Sequence, residues 1–300
     1  MAPYGPQGAQ GSHASSTGQS LTEPGWLDAH FEACRTEYEA MLSWVGIEPG
    51  WCVLDAGCGS GSYIPFLAEL VGRSGRVAAL DLASENVAFV EEQAPRWGLA
   101  CPVEARVGSV SALPYPDGVF DAVWCANTTQ YFGDEDLPAV MTELRRVVRP
   151  GGLVAVKDVD MNLLRLYPAD PFLVSHLSEA SLRAERVNAE SRGSLRGREL
   201  RRWLERSGLT EVRQWTALIE RWAPLRPVER KFFGEWLAYL AGLAEERGVP
   251  EKDLATWRAV RDPAAPDNLL DHPDFYACEG QVVAVGQVPP ADSRSPGDGV

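Results

Sequence analysis

The sequence has few of the features that mark several large classes of protein. Three of its 300 residues are lysine, and its 42 acidic residues leave a formal net charge of −14. Such a chain would be repelled by a nucleic-acid backbone or an anionic membrane. No run of eighteen apolar residues occurs, and the first residues lack a basic stretch followed by an apolar one. We therefore expect a soluble, cytoplasmic monomer or homodimer without nucleic-acid or membrane partners.

Cysteine and histidine are also too sparse and too scattered to indicate a metal site. The six cysteines stand at positions 34, 52, 58, 101, 125 and 278, without paired metal spacing. We interpret them as reduced core residues and predict no metal. Of the four histidines, His176 and His272 fall in segments where a lone histidine is more often structural. His30 stands in a helical segment near the N-terminus.

What the sequence does contain is a short apolar run that breaks into glycines, WCVLDAGCGSGSY at Trp51–Tyr63. It predicts a strand, a tight turn carrying Gly57, Gly59 and Gly61, and a helix whose N-terminal amides face a ligand. No Gly-Lys-Ser/Thr follows, which excludes a P-loop, and the glycine spacing differs from the dinucleotide pattern. Asp55, just before the turn, carries a negative charge that would favour a positively charged ligand. Asp81, ending the next strand, can accept two ribose hydroxyls. A ligand with a ribose and a positive charge but no phosphate is S-adenosylmethionine.

On these residues the chain resembles a class I S-adenosylmethionine-dependent methyltransferase, of the small-molecule, type 11 group. VLDAGCGSG resembles the first motif of that family, and ALPYPDGVFDAVWCANTTQYF resembles its third and fourth strands. ELRRVVRPGGLVAVKD resembles the following helix, turn and fifth strand. The resemblance implies an α/β fold with a seven-stranded, mostly parallel, doubly wound sheet and helical cap insertions. It also implies S-adenosylhomocysteine as a product.

The resemblance further assigns the site residues. Ser109 stands where relatives commonly carry an aspartate that contacts adenine. The loop after the fourth strand should lie beside the reactive methyl, so Gln130 and Tyr131 are the candidate catalytic residues. This loop has no histidine, which excludes a histidine base there and favours an easily ionised acceptor such as a carboxylate or phenol. The predicted cofactor-binding residues are Tyr38, Asp55, Gly57, Gly59, Gly61, Asp81, Leu82, Ser109, Val110 and Asn127.

Composition and periodicity divide the chain into a core and two tails. Residues 1–22 and 289–300 are rich in small and polar residues and are predicted to be disordered. Residues 23–288 form one domain, with an N-terminal lid helix over 23–46 and helical cap insertions over 160–193 and 222–275. Further predicted elements are a helix with Ser84 as its N-cap, a strand over Leu153–Val159, helices over Pro171–Ala189 and Leu195–Ser207, and strands over Val212–Trp222 and Gln281–Val288.

The expected function is methyl transfer to oxygen or nitrogen of a small-molecule or short-peptide acceptor, in bacterial specialised metabolism. Few lysines against 25 arginines are typical of a GC-rich bacterial genome. Two alternatives stay open. One is a protein of this fold that binds the cofactor but catalyses another reaction, as a cyclase or decarboxylase. The other is a nicotinamide oxidoreductase, against which the glycine spacing argues.

Overall fold

A seven-stranded sheet forms the centre of the protein. The computed structural model describes residues 15–17, 21–183, 192–262 and 264–290. The predicted disorder of 1–14, 18–20 and 291–300, and the predicted helical insertions at 184–191 and 263, lie outside these residues. The strands are β1 (Cys52–Ala56), β2 (Arg76–Asp81), β3 (Val103–Val107), β4 (Phe120–Ala126), β5 (Val148–Tyr167), β6 (Thr210–Trp222) and β7 (Tyr276–Gln287).

The order of the strands creates a crevice at their carboxyl ends. Along the sheet they follow β3-β2-β1-β4-β5-β7-β6. From β3 to β5 all neighbours run parallel, whereas β7 runs antiparallel to both β5 and β6. The order reverses between β1 and β4, and open α/β sheets bind ligands at such a point. The predicted mostly parallel, doubly wound sheet is confirmed.

Helices cover both faces of this sheet. They are α1 (Pro24–Val45), α2 (Ile64–Val71), α3 (Ser84–Gln93), α4 (Leu137–Arg146), α5 (Leu173–Arg183), α6 (Leu200–Arg206), α7 (Pro227–Arg247) and α8 (Glu251–Arg261). Because successive strand residues point to opposite faces, Val53 and Leu54 of β1 enter different cores. The first core contains residues of α1, α2, α3, α5, α7 and α8, and the second contains residues of α4 and α6.

The fifth strand is much longer than the sequence prediction. Residues 160–167, which the prediction assigns to a helical insertion, continue β5 and pair with the start of β7, as in Arg165 opposite Cys278. Leu164 and Leu166 are buried while Arg165 is exposed, which is the alternation of a half-buried strand. The antiparallel strand β7 stabilises this extension of β5. The local sequence of residues 160–167 contains no glycine and gives no sign of the extension. The helical part of the predicted insertion over 160–193 therefore begins only at α5.

Several shorter predictions also differ from the structure. Ser84 is the first residue of α3, and Ala83 occupies the N-cap without a side-chain hydrogen bond. The helix predicted over Leu195–Ser207 consists of a 3₁₀ turn at Gly197–Glu199 followed by α6. In the predicted N-terminal tail, the described Leu21 is buried in the core. None of the described helices is both long and apolar enough for a membrane span.

Candidate cofactor and acceptor site

The turn after β1 brings two loops into close contact. Gly57 has a φ of 78°, and a Cβ atom at this position would collide with the side chain of Thr128, just after β4. Residues other than glycine rarely adopt this φ, and no space remains for a side chain. Gly57 and Gly59 both line a cavity at the carboxyl ends of the strands. The local backbone therefore sets one wall of that cavity.

Two residues that the sequence assigns to the cofactor, Gly61 and Asp55, do not line the cavity. A Cβ atom at Gly61 would lie 2.9 Å from Ile64 Cδ1 and 2.9 Å from Val90 Cγ2, so this glycine lets α2 pack on α3. Asp55 lies beneath the turn, 1% exposed, and its Oδ2 has no hydrogen-bond partner among the described residues. Burial, reinforced by the charge of Asp81, raises the pKa of Asp55 to about 8.

Asp81, the last residue of β2, has a carboxylate that is fixed from three directions. Its Oδ2 accepts the Gly59 N–H at 2.8 Å, and its Oδ1 accepts the Ala83 N–H at 2.9 Å and an Asn86 Nδ2–H at 3.2 Å. Burial raises the pKa of Asp81, and these hydrogen bonds oppose the rise. Oδ1 already accepts two donors, whereas Oδ2 keeps capacity for a further one, such as a ribose hydroxyl.

Apolar side chains flank Asp81 on the cavity wall. Leu82 is 59% exposed, and Val110 lies on the same wall. The hydroxyl of Ser109 shares a 2.8 Å hydrogen bond with the Ser111 hydroxyl and accepts the Ser111 N–H at 3.2 Å. A flat ring against Leu82 and Val110 would remove apolar surface from water. Together with the unpartnered Asp55 Oδ2 beneath the turn, these residues fit an adenosine carrying a cationic group.

The loop after β4 is held in an unusual backbone conformation. Asn127 has a φ of 51°, which asparagine tolerates better than most residues. Lys157 Nζ donates to Asn127 Oδ1 at 2.9 Å, and Gln130 Nε2 donates to the Asn127 carbonyl at 3.3 Å. Gln130 and Tyr131 lie in a 3₁₀ turn and line the cavity with Asn127.

A buried arginine fixes the position of this loop from a distant part of the chain. Arg196 Nη2 donates to the carbonyls of Thr129 at 2.9 Å and Phe132 at 2.7 Å, and its Nη1 pairs with Asp134 Oδ1 at 2.7 Å. The side chain of Arg196 is 7% exposed. The two residues predicted to face the acceptor therefore sit in a loop clamped by a single guanidinium.

Beyond this loop the cavity becomes aromatic. Trp26 and Phe31 of α1 line it together with Phe232 and Trp236 of α7, and the rings of Trp26 and Phe232 lie 6.0 Å apart. The ring of His30 stacks on Phe232 with centroids 4.6 Å apart and lies 4.9 Å from the ring of Trp26. The cavity measures about 350 Å³, within the usual range for small-molecule pockets. We call this part, between α1 and α7, the acceptor half.

Ionisable groups are buried at the base of the acceptor half. The Tyr38 hydroxyl lies 2.6 Å from His30 Nε2, and Lys157 Nζ stands 3.8 Å from the centre of the Tyr38 ring. Burial lowers the pKa of Lys157 to about 8 and raises the pKa of Glu279. Burial and the charge of Lys157 hold the pKa of His30 well below its usual value. His30, Tyr38 and Glu279 line the cavity.

Sequence reasoning missed part of this group. It named His30 and Tyr38 in the lid helix and assigned Cys34 to the core, but it did not single out Lys157 or Glu279. The available signal was a charged residue inside an otherwise apolar strand, as in LVAVK and ACEGQVVAV. The structure also brings ligand atoms of His30, Cys34 and Glu279 within 4.8 Å of one another, which the cysteine spacing did not indicate.

Comparison with known proteins finds similarity to methyltransferases over part of the chain. Residues 53–152 match the family model described as a methyltransferase domain. The chain is 37% identical over 151 residues to an uncharacterised 37.1 kDa protein in transposon TN4556 of Streptomyces fradiae, covering 49% of this chain and 42% of that protein. It is 34% identical over 122 residues to the 2-phytyl-1,4-naphtoquinone methyltransferase of a Synechocystis species, covering 40% and 50%.

These relatives extend beyond the matched region, since the chain spans about half of their length. Among solved structures, the YcgJ protein of Bacillus subtilis superposes with a TM-score of 0.50 at 18% identity, covering 86% of this chain and all of that one. At this identity the similarity concerns the fold alone.

Proposed function

We propose that this protein, whose residues 53–152 are a class I methyltransferase domain with S-adenosylmethionine as its cofactor, methylates an oxygen or nitrogen of a small, largely apolar acceptor. One observation carries the proposal. A single cavity joins the Asp81 carboxylate and the glycine turn to the aromatic acceptor half. A cofactor fixed at the first end would present its transferable group toward the second.

The proposed role of the residues is mainly to hold two molecules in position. The cofactor supplies an activated methyl group on a positively charged sulfur. Asp81 would orient the ribose and Leu82 would cover the adenine, while Gln130 and Tyr131 would orient the attacking atom of the acceptor. Holding two reactants in a reactive geometry can contribute about 7–11 kcal/mol.

The lining of the acceptor half supports a small acceptor with few polar groups. Besides its aromatic side chains, three buried polar atoms of residues that line it lack a hydrogen-bond partner among the described residues: Trp26 Nε1, Tyr63 Oη and Gln281 Oε1. Such atoms favour a ligand that supplies the missing partners. A short peptide chain could also supply them. The lining of the acceptor half, together with the arginine-rich composition, fits an acceptor from bacterial specialised metabolism.

The direct test uses S-adenosylmethionine with a labelled methyl group and a panel of aromatic and aliphatic alcohols, carboxylic acids, amines and short peptides. Label transferred to a small, mostly apolar acceptor supports the proposal. Calorimetric binding of S-adenosylmethionine and S-adenosylhomocysteine, with no binding of NAD, supports the choice of cofactor independently of the acceptor. Conversion of a substrate without label transfer would favour the non-methylating alternative, and tight NAD binding would favour the oxidoreductase.

A further inference from the structure

Two polar side chains of β7 are buried in the wall of the acceptor half. Glu279 and Gln281 are each 1% exposed, and both line the cavity. They stand two residues apart on one strand, so their side chains lie on the same face of the sheet. Val159 of β5, which pairs with Gln281, lines the cavity as well. The two polar groups therefore border the space that an acceptor would occupy.

The hydrogen bond between these two residues fixes which atoms they offer to a ligand. Gln281 Nε2 donates to Glu279 Oε2 at 3.2 Å, and the buried Gln281 Oε1 has no hydrogen-bond partner among the described residues. Glu279 Oε1 accepts the Cys34 S–H, a weak donor, at 3.1 Å. A buried acceptor without a donor is unfavourable, so this pair favours a ligand that supplies N–H or O–H groups.

The cations near the Glu279 carboxylate are bonded to other groups. Lys157 Nζ donates to a side chain in the loop after β4 at 2.9 Å, and Arg221 pairs with Glu37 and Glu229. Burial raises the pKa of Glu279, and the charges of Lys157 and Arg221 oppose this rise. These charges favour the ionised carboxylate, which can still bind a donor from the acceptor.

The aromatic side chains of the acceptor half suit a positively charged ligand group. Aromatic rings attract organic cations to their faces, and the indole of tryptophan does so most strongly. Lys157 already lies over Tyr38, with its Nζ 3.8 Å from the ring centre, and its charge acts against a second cation at that ring. Trp26 and Trp236 line the cavity as well. A carboxylate together with such indoles is a suitable site for an amine.

We propose that Glu279 and the amide oxygen of Gln281 bind the amino group of the acceptor, and that this nitrogen receives the methyl group. The inference rests on the proposed function and narrows its acceptor to a small amine with an apolar, aromatic body. Two adjacent acceptor groups can take both N–H groups of a primary amine, whereas a hydroxyl supplies one donor. A carboxylate acceptor supplies none and would be repelled by Glu279.

The register of the sheet brings this amine subsite near the loop after β4. Gln281 pairs with Val159 of β5, and two residues earlier on β5, Lys157 pairs with Ala126 at the end of β4. With strands about 4.8 Å apart and a rise of about 3.3 Å per residue, the Cα atoms of Gln281 and Ala126 are separated by about 12 Å. A small amine between these two strands can therefore contact the subsite and the loop at once.

Methyl transfer to an amine requires no base in the acceptor half. The ammonium form that predominates in water first loses one proton to water, which leaves a lone pair on the nitrogen. As the nitrogen bonds to the methyl carbon, the bond between that carbon and the sulfonium sulfur breaks with its electron pair on sulfur. The nitrogen keeps its remaining protons, so the positive charge moves from sulfur to a nitrogen beside Glu279. The carboxylate stabilises this charge as it develops in the transition state.

Calorimetry on protein saturated with S-adenosylhomocysteine tests the amine subsite without any reaction. The probes are 2-phenylethylamine, 2-phenylethanol and 3-phenylpropanoic acid, which share an aromatic body. The wild type should bind the amine at least about tenfold more tightly than the alcohol and should bind the acid most weakly. Glu279→Gln, which keeps the shape and removes the charge, should abolish this preference. An alcohol or acid bound as tightly as the amine, or no detectable binding of any probe, overturns the proposal.

Glu220→Gln is the matched control for the loss of a carboxylate. Glu220 of β6 is exposed, accepts the Tyr276 hydroxyl at 2.8 Å and lies outside the cavity lining. Its substitution should leave the affinity for 2-phenylethylamine unchanged, and a loss equal to that of Glu279→Gln would mean that net charge alone attracts the amine. Should Glu279→Gln not fold, Gln281→Leu removes the second acceptor and should weaken amine binding about tenfold, with the Kd for S-adenosylhomocysteine unchanged.

Label transfer shows which atom is methylated and separates this inference from the function on which it rests. Tyramine carries a phenol and a primary amine on one aromatic body, and mass spectrometry of the product should find the label on nitrogen. If phenols, alcohols or acids are methylated and amines are not, the inference fails while the proposed function stands. If no acceptor is methylated, the proposed function fails, and calorimetry still decides whether the amine subsite exists.

Discussion

The two halves of the cavity are built in different ways. The cofactor half takes its residues from the turns directly after β1, β2 and β3, where neighbouring parallel strands end side by side. The acceptor half takes His30 from α1, Lys157 from β5 and Glu279 from β7. The first half follows from local turns, whereas the second depends on packing between distant segments. The cofactor half is therefore readable from sequence, and the acceptor half is where substrate choice can vary.

The largest effect is expected for Arg196, which lies far along the chain from the loop after β4 that it holds in place. Arg196→Met removes a buried guanidinium and leaves the Thr129 and Phe132 carbonyls without this donor, so the free energy of unfolding should fall by about 3 kcal/mol. Turnover should fall with it, because the loop holding Gln130 and Tyr131 loses its clamp. Chemical denaturation measures the first effect, and label transfer the second.

Arg192→Met is the matched control, since Arg192 pairs with the same Asp134 but its side chain is 61% exposed. An exposed pair contributes less than about 1 kcal/mol. Equal losses in the two variants would mean that the ion pair with Asp134, rather than the buried carbonyl contacts, determines the stability of the loop.

The next effect belongs to the cofactor half. Asp81→Ala removes a carboxylate placed to accept a ribose hydroxyl, and a charge-assisted hydrogen bond is worth about 1.5–3 kcal/mol, so the Kd for S-adenosylmethionine should rise at least tenfold. Calorimetry gives the Kd directly. Asp117→Ala, at a side chain 82% exposed beside Arg146, should leave it unchanged. An unchanged Kd in Asp81→Ala would contradict the assignment of the ribose site.

The same contrast explains what the sequence could and could not predict. Asp81 was identifiable because a strand ending in a carboxylate after a glycine turn is a local pattern. The extension of β5 to Tyr167 was not, because it requires β7, more than a hundred residues later, to supply its hydrogen bonds. Glu279 was missed for a related reason. Its chemistry appears only when α1 packs over β7 and brings Cys34 into contact with it.

A smaller effect should separate the two halves kinetically. Trp236 stacks on Phe232 in the acceptor half with ring centroids 5.4 Å apart. Trp236→Leu removes part of this apolar wall, and a loss of about 1.4 kcal/mol would raise the KM for the acceptor tenfold. The Kd for S-adenosylmethionine should not change. Trp222→Leu, at a tryptophan 58% exposed outside the cavity, controls for loss of an indole. A weaker cofactor Kd in Trp236→Leu would show that the halves overlap.

The smallest expected effect concerns Asp55, which the structure places beneath the turn rather than on the cavity wall. Its pKa of about 8 in the free protein means that the carboxyl is mostly protonated at pH 7. The ionised form attracts the cationic end of S-adenosylmethionine, so binding below pH 8 should release a proton, and affinity should rise with pH and level off above about 8. From pH 7 to pH 8 the ionised fraction grows from about 9% to about 50%, so the affinity should increase about fivefold.

Calorimetry in two buffers of different ionisation enthalpy measures the proton released, and Asp55→Asn should abolish both the release and the slope. An identical pH dependence in the two proteins would mean that Asp55 supports the turn without sensing the charge of the cofactor.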